Sequence, residues 1–159
     1  MMKVRQSNLF QVAVKSGLIV GVLDAIAASL NAYLASGLTP DRVFRFVASG
    51  AFGQRAYTGG YSMVWIGLLF HFIIAMSWTL LFFISFRKMK LLQHSKFLVG
   101  MAYGVLIWVM MNFVVIPLSG IGPRPFQFTG TIIMILIHII VIGVPISLLA
   151  TNYYKVKNY

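Results

Sequence analysis

Apolar residues fall in four long blocks, with polar residues gathered at the joints between them. A helix needs about 20 apolar residues to cross a bilayer. The blocks predict spans at about residues 13–36, 61–86, 97–117 and 128–150. The first stops at Gly37. In the following joint, Thr39 suits an N-cap, Pro40 the first helical position and Asp41 the first turn. That predicts a short helix over about 40–49, in which Val43, Phe44, Phe46 and Val47 alternate with Arg42 and Arg45. It is too short to span, so it should lie in the interface or re-enter shallowly. Residues 51–60, with Gly53, Gly59 and Gly60, read as a loop. The expected fold is an all-α membrane protein. It is an antiparallel bundle of four transmembrane helices, with an interfacial helix between the first and second spans, in one domain over residues 1–159.

Small residues add packing faces to this outline. Gly17, Gly21, Asp24, Ala25, Ala28, Ala32 and Ala35 share one face of the first helix. Small residues let another helix approach closely. Gly100 and Gly104 form a second such pair in the third span. Whether these contacts lie within one bundle or between protomers is open at this level. Pro117, Gly120, Gly122, Pro123 and Pro125 predict a stiff, turn-rich loop before the last span.

Composition agrees with membrane burial. Of 159 residues, 60% are hydrophobic and 9% charged, and mean hydropathy is +0.90. A soluble domain carries roughly 25% charged residues. The absence of cysteine excludes disulfides, thiolate metal sites and cysteine nucleophiles. The N-terminus has a basic start and an apolar run, as signal peptides do. The run continues too far and contains Asp24, so it reads as a retained helix.

The net charge of +11 sits at the ends of the apolar blocks, without the aromatic–basic interleaving of nucleic-acid readers. It fits anionic lipid headgroups and topology control instead. With four spans, one side carries nine basic residues: Lys3, Arg5, Lys15, Arg87, Lys88, Lys90, Lys96, Lys155 and Lys157. The other carries four, Arg42, Arg45, Arg55 and Arg124. Both termini are therefore expected to be cytoplasmic. The four outer arginines, with Asp41, read first as interfacial anchors and second as a frame for an anionic headgroup or substrate.

Candidate chemistry is sparse. Asp24 lies at the centre of its span, where an aspartate costs about 2.5–3.5 kcal/mol to insert. Such a residue faces a partner or water, or else fixes packing as a hydrogen-bonded structural carboxylate. His138 is near the centre of the fourth span, and His71 lies roughly 4 Å outward from the centre of the second. Asn112 lies roughly 7.5 Å outward in the third. Inward-facing residues at one layer of a bundle can touch. Asp24, His71 and His138 are thus the expected midplane polar site, with Asn112 extending it toward the proline-rich loop. The same three residues are the candidate ligands for a divalent metal, and the two histidines for haem. His94, in the basic loop, reads as solvated. Ser29, Asn31, Ser77, Thr79 and Asn112 are expected to bond between helices or to the carbonyl four residues back. No Gly-x-Ser-x-Gly elbow, paired acids or phosphate loop is present, so hydrolase chemistry has no support and the reading leans away from an enzyme.

Leu69-Phe-His-Phe72, Arg87-Lys-Met-Lys-Leu91, Gly100 with Gly104, Pro117-Leu-Ser-Gly120 with Pro123 and Pro125-Phe126, and His138 occur in that order. In this the chain resembles the YagU-like family of small bacterial inner-membrane proteins over its last two-thirds. The resemblance implies a multi-helix fold in the bacterial inner membrane and a link to proton physiology, but no settled activity. Three functions are compatible with the residues. The first is a proton- or cation-linked membrane protein. The second is a structural or accessory subunit packing through its glycine faces, in a homo-oligomer or larger membrane complex. The third is a module binding metal, haem or lipid.

The charge bias generates a direct test. A cysteine introduced at Ser95 should react with impermeant thiol reagents only from the cytoplasmic side, as should cysteines at Ser7 and Asn158. Labelling of Ser95 from the other side would reverse the topology.

Overall fold

The structure is a computed structural model that describes residues 8–88, 95–122, 125 and 127–157. Lys3, Arg5, Ser7, Lys90, Leu91, His94, Pro123, Arg124, Phe126 and Asn158 lie outside the described residues, as do the side chains of Arg87, Lys88 and Lys157. The described elements are helical. They are α1 (Leu9–Ser36), α2 (Pro40–Phe52), α3 (Arg55–Thr58), α4 (Ser62–Lys88), α5 (Lys96–Met110), α6 (Ile116–Leu118), α7 (Phe128–Ile137) and α8 (Val144–Lys157). A π-helical segment, Met111–Val115, joins α5 to α6, and another, His138–Gly143, joins α7 to α8. Four rods result that are long and apolar enough to cross a membrane: Leu9–Ser36, Ser62–Phe86, Lys96–Leu118 and Phe128–Lys155.

Local chemistry places the ends. Asn8 takes the N-cap conformation, so α1 begins four residues ahead of the apolar block. Gly37, at φ 65, stops it with its N–H on the Tyr33 carbonyl at 2.8 Å. The short helix runs to Phe52, where Gly53 at φ 56 turns the chain, and α3 occupies part of the expected loop. Each π segment lies just before a proline, Pro117 or Pro145. A proline ring crowds the carbonyl four residues back and offers it no N–H. Those carbonyls belong to Phe113 and Val141, both inside π segments. The widened turns are where the helices absorb that conflict.

Polar side chains within the rods mostly serve the backbone. Ser77, Thr79 and Asn112 bond the carbonyls of Ile73, Ala75 and Trp108, each four residues back. Asn31 instead reaches across to the Met134 sulfur at 3.4 Å.

The bundle is joined through glycine. On α1, a Cβ at Gly17 would lie 3.0 Å from the Met76 Cα, and one at Gly21 2.9 Å from the Phe72 ring. A Cβ at Gly100 would lie 2.7 Å from the Val144 Cα, and one at Gly104 2.6 Å from the Ile139 Cα. Gly143 fits against Gly100 and Gly104, and Gly67 sits against the Phe44 carbonyl of α2. These close contacts are made within a single chain. Ala25 and Ala28 are half-buried. Gly67 and Gly143 were not expected as packing positions, although Gly143 and Ser147 have the small-xxx-small spacing that reveals such faces.

Beyond these contacts, α4 packs on α1 and α2, α5 packs on the fourth rod, and α1 touches its π segment. The core lies at the end of the bundle that holds the start of α1 and the end of α8. Phe82, Phe83, Phe86, Ile146, Ala13 and Ala150 are buried there. Tyr103 and Tyr154 donate to the Trp78 and Phe83 carbonyls at 2.7 Å each. Those carbonyls already belong to a helix, so the hydroxyls are satisfied without breaking it.

Replacing Gly104 or Gly143 by alanine should lower stability by about 1–3 kcal/mol, because the added methyl meets backbone. Gly130→Ala is the control, since a Cβ there meets nothing nearer than 3.8 Å. Unfolding in detergent measures the difference, and equal stability of all three variants would contradict the packing.

Candidate functional site

Beside the aromatic core the rods enclose a cavity of about 310 Å³. Val20 and Asp24 of α1 form its back wall, with His138 and Ile142 from the fourth rod's π segment. Phe70, His71, Ile73, Ile74, Ala75 and Trp78 of α4 form one side. Ile107, Met111, Val115 and Ile116 of the third rod form the other. Phe46, Val47, Gly50 and Ala51 of α2 form a roof, completed by Ser119 and Ile121. The Gly120 N–H donates to the Gly50 carbonyl at 2.8 Å, tying the roof to the loop.

Asp24, His71 and His138 therefore stand on one cavity, brought there by three different rods. The Asp24 carboxylate is within electrostatic range of both imidazoles. Among the described residues the ion pair present joins Arg45 to Asp41, and no cationic side chain lines the cavity. His71 Nε2 lies 2.9 Å from the Gly21 carbonyl, and His138 Nδ1 lies 2.8 Å from the Met134 carbonyl. A carbonyl oxygen only accepts, so each of these nitrogens carries the hydrogen. His71 is thereby held with Nδ1, and His138 with Nε2, as the nitrogen that bears the lone pair when the ring is neutral. Edge-on contacts with Phe44 and Phe72 fix the His71 ring.

Two expectations about the site change. Asn112 is not among the cavity residues. Its Nδ2 donates to the Trp108 carbonyl at 2.9 Å, at the entry to the π segment. The widened turn rotates it away, and Ser119 is the polar residue on the loop side of the cavity. The metal reading of Asp24, His71 and His138 gains no support from the geometry. Among the described residues no three His, Cys, Asp or Glu groups are placed to hold one ion.

The basic residues near α2 do not converge on the cavity. Arg45 is turned toward Asp41 at 3.6 Å and the Ala56 carbonyl at 3.2 Å. Arg42 and Arg55 are exposed. The contribution of α2 escaped the sequence reading. Phe46, Val47, Gly50 and Ala51 do show the i, i+3, i+4 spacing of a single face. That spacing signals a buried face without saying what covers it.

The roof helix begins at Thr39, whose hydroxyl donates to the Asp41 carboxylate. That bond, reinforced by Arg45, holds Asp41 below the usual carboxylate range. A lowered acid contributes stability above its unfolded value and loses it as pH falls through its folded value. The start of α2 should therefore loosen only in acid, below the ordinary aspartate range. Thr39→Val should raise the Asp41 titration midpoint measured by NMR. An unmoved midpoint would show that the hydroxyl does not hold the carboxylate.

The chain matches no family model, no curated protein and no solved structure.

Proposed function

We propose that this is a four-span protein of a bacterial inner membrane, an antiparallel bundle with cytoplasmic termini, whose cavity binds and releases protons in step with a bound cation or solute. The single observation that carries the functional part is the meeting of Asp24, His71 and His138, from three rods, on one largely apolar cavity. A lone charge among such walls is costly. Ionisable groups that share one cavity can be coupled, so that a proton taken by one changes the affinity of the others. The hydrogen bonds to Gly21 and Met134 reinforce this, since they leave one basic nitrogen on each ring to take up a proton. The nine-to-four bias of basic residues supports the orientation. The YagU-like resemblance supports the compartment.

The test is an infrared titration of the protein in lipid nanodiscs. A carboxyl band that disappears in Asp24→Asn identifies the group. Its midpoint should move in both His71→Ala and His138→Ala. The effects of the two changes together should depart from additivity by at least about 0.5 kcal/mol. A midpoint indifferent to both histidines would overturn the coupled site.

A further inference from the structure

We propose that the cavity is a binding site for a small apolar molecule with a protonated amine head, entering sideways between α4 and the third rod. The proposal rests on the reading of the chain as membrane-embedded, and it names the ligand class that this site takes.

The first argument is the inventory of donors. With both rings neutral, the free polar side-chain atoms of the cavity are acceptors apart from the Trp78 indole N–H. The Asp24 carboxylate accepts only. The N–H groups of His71 and His138 point at the Gly21 and Met134 carbonyls. The Ser119 hydroxyl donates to the Ile116 carbonyl at 2.7 Å. Among the described residues a carboxylate or phosphate would find no charged donor there and only the Trp78 indole N–H as a side-chain donor, and its charge would oppose that of an ionised Asp24. An ammonium group supplies the missing donors and the opposite charge. Among the described residues no lysine or arginine lines the cavity to compete with it.

The second argument is shape. Phe70, Ile74, Trp78, Ile107 and Met111 offer walls for a hydrocarbon body, and the two aromatic faces also favour a cation. The volume of about 310 Å³ lies at the small end of ligand pockets, which span about 300–1,000 Å³.

The third argument is access. α4 and the third rod do not pack on one another over any length. Below the gap they are bridged by Tyr103, which bonds Trp78 and packs on Phe82 with ring centroids 4.6 Å apart. Above it the α2 roof closes the space. Between these limits Ile73 and Val115 line the cavity and are 50% and 36% exposed. Ile73 lies near the middle of α4, so the opening faces acyl chains in a spanning orientation.

Trp78 supplies the readout. The chain has three tryptophans, and Trp65→Phe with Trp108→Phe leaves Trp78 alone. In phosphatidylcholine nanodiscs at mildly alkaline pH, three quenchers of equal chain length are compared: an ω-bromoalkylamine, the bromoalcohol and the bromocarboxylate. The amine should quench Trp78 saturably and bind about tenfold more tightly than the alcohol, as a charge-assisted bond would give. The carboxylate should show no saturable quenching. Asp24→Asn should bring amine and alcohol to equal affinity. Equal affinity for amine and alcohol in the wild type overturns the proposal, and so does quenching that never saturates. The wild-type series decides the question even if Asp24→Asn fails to fold. The infrared titration of Asp24 is recorded on the same samples. An intact coupled titration without amine preference overturns the ligand class alone, whereas an uncoupled titration overturns the proton reading.

Discussion

Backbone-to-backbone approach at glycine is the constraint on which the other features of this protein depend. In an apolar surrounding the hydrophobic effect does not press helices together, so close packing must hold them. Gly17 and Gly21 seat α1 on α4, while Gly100, Gly104 and Gly143 seat the third rod on the fourth. On α1 the close contacts end at Gly21, one turn before Asp24. The cavity adjoins these contacts: the Gly21 carbonyl accepts from His71, and Gly104 abuts the His138 carbonyl. Packing and site are thus two parts of one pattern.

The π segments shape the space that opens. Met111 and Val115 come from one and His138 and Ile142 from the other, so four cavity residues stand on widened turns. An α-helix through the same residues would present a different face, because each π turn shifts the register of the residues after it. The prolines that accompany these turns act through the backbone and need not touch the cavity. His138 gains a second benefit. Its ring bonds the Met134 carbonyl at the end of α7, which orients it and satisfies the backbone together.

The roof distinguishes this bundle from four bare rods. Gly67 lets the Phe44 backbone close onto α4, and Ala48 and Ser49 are buried beneath it. The bond from Gly120 to Gly50 then couples the roof to the loop after the third rod. The cavity is accordingly bounded by the aromatic core at one end and covered by α2 at the other.

The sequence alone determined the four apolar rods, the stop at Gly37, the start of the roof helix after Thr39 and the presence of titratable residues in three rods. These follow from local chemistry: span length, caps and the cost of burying a charge are set by residues near in the chain. It also marked Gly17, Gly21, Gly100 and Gly104 as faces that permit close approach. Only the tertiary structure decided which helices those faces meet, that the contacts lie within one chain, and that α2 covers a cavity instead of lying apart. It also separated Asn112 from the site and gave no support to a metal site at the three titratable residues. Such outcomes depend on rotation about each helix axis. A single π turn changes that rotation, and contacts between residues far apart in the chain select it.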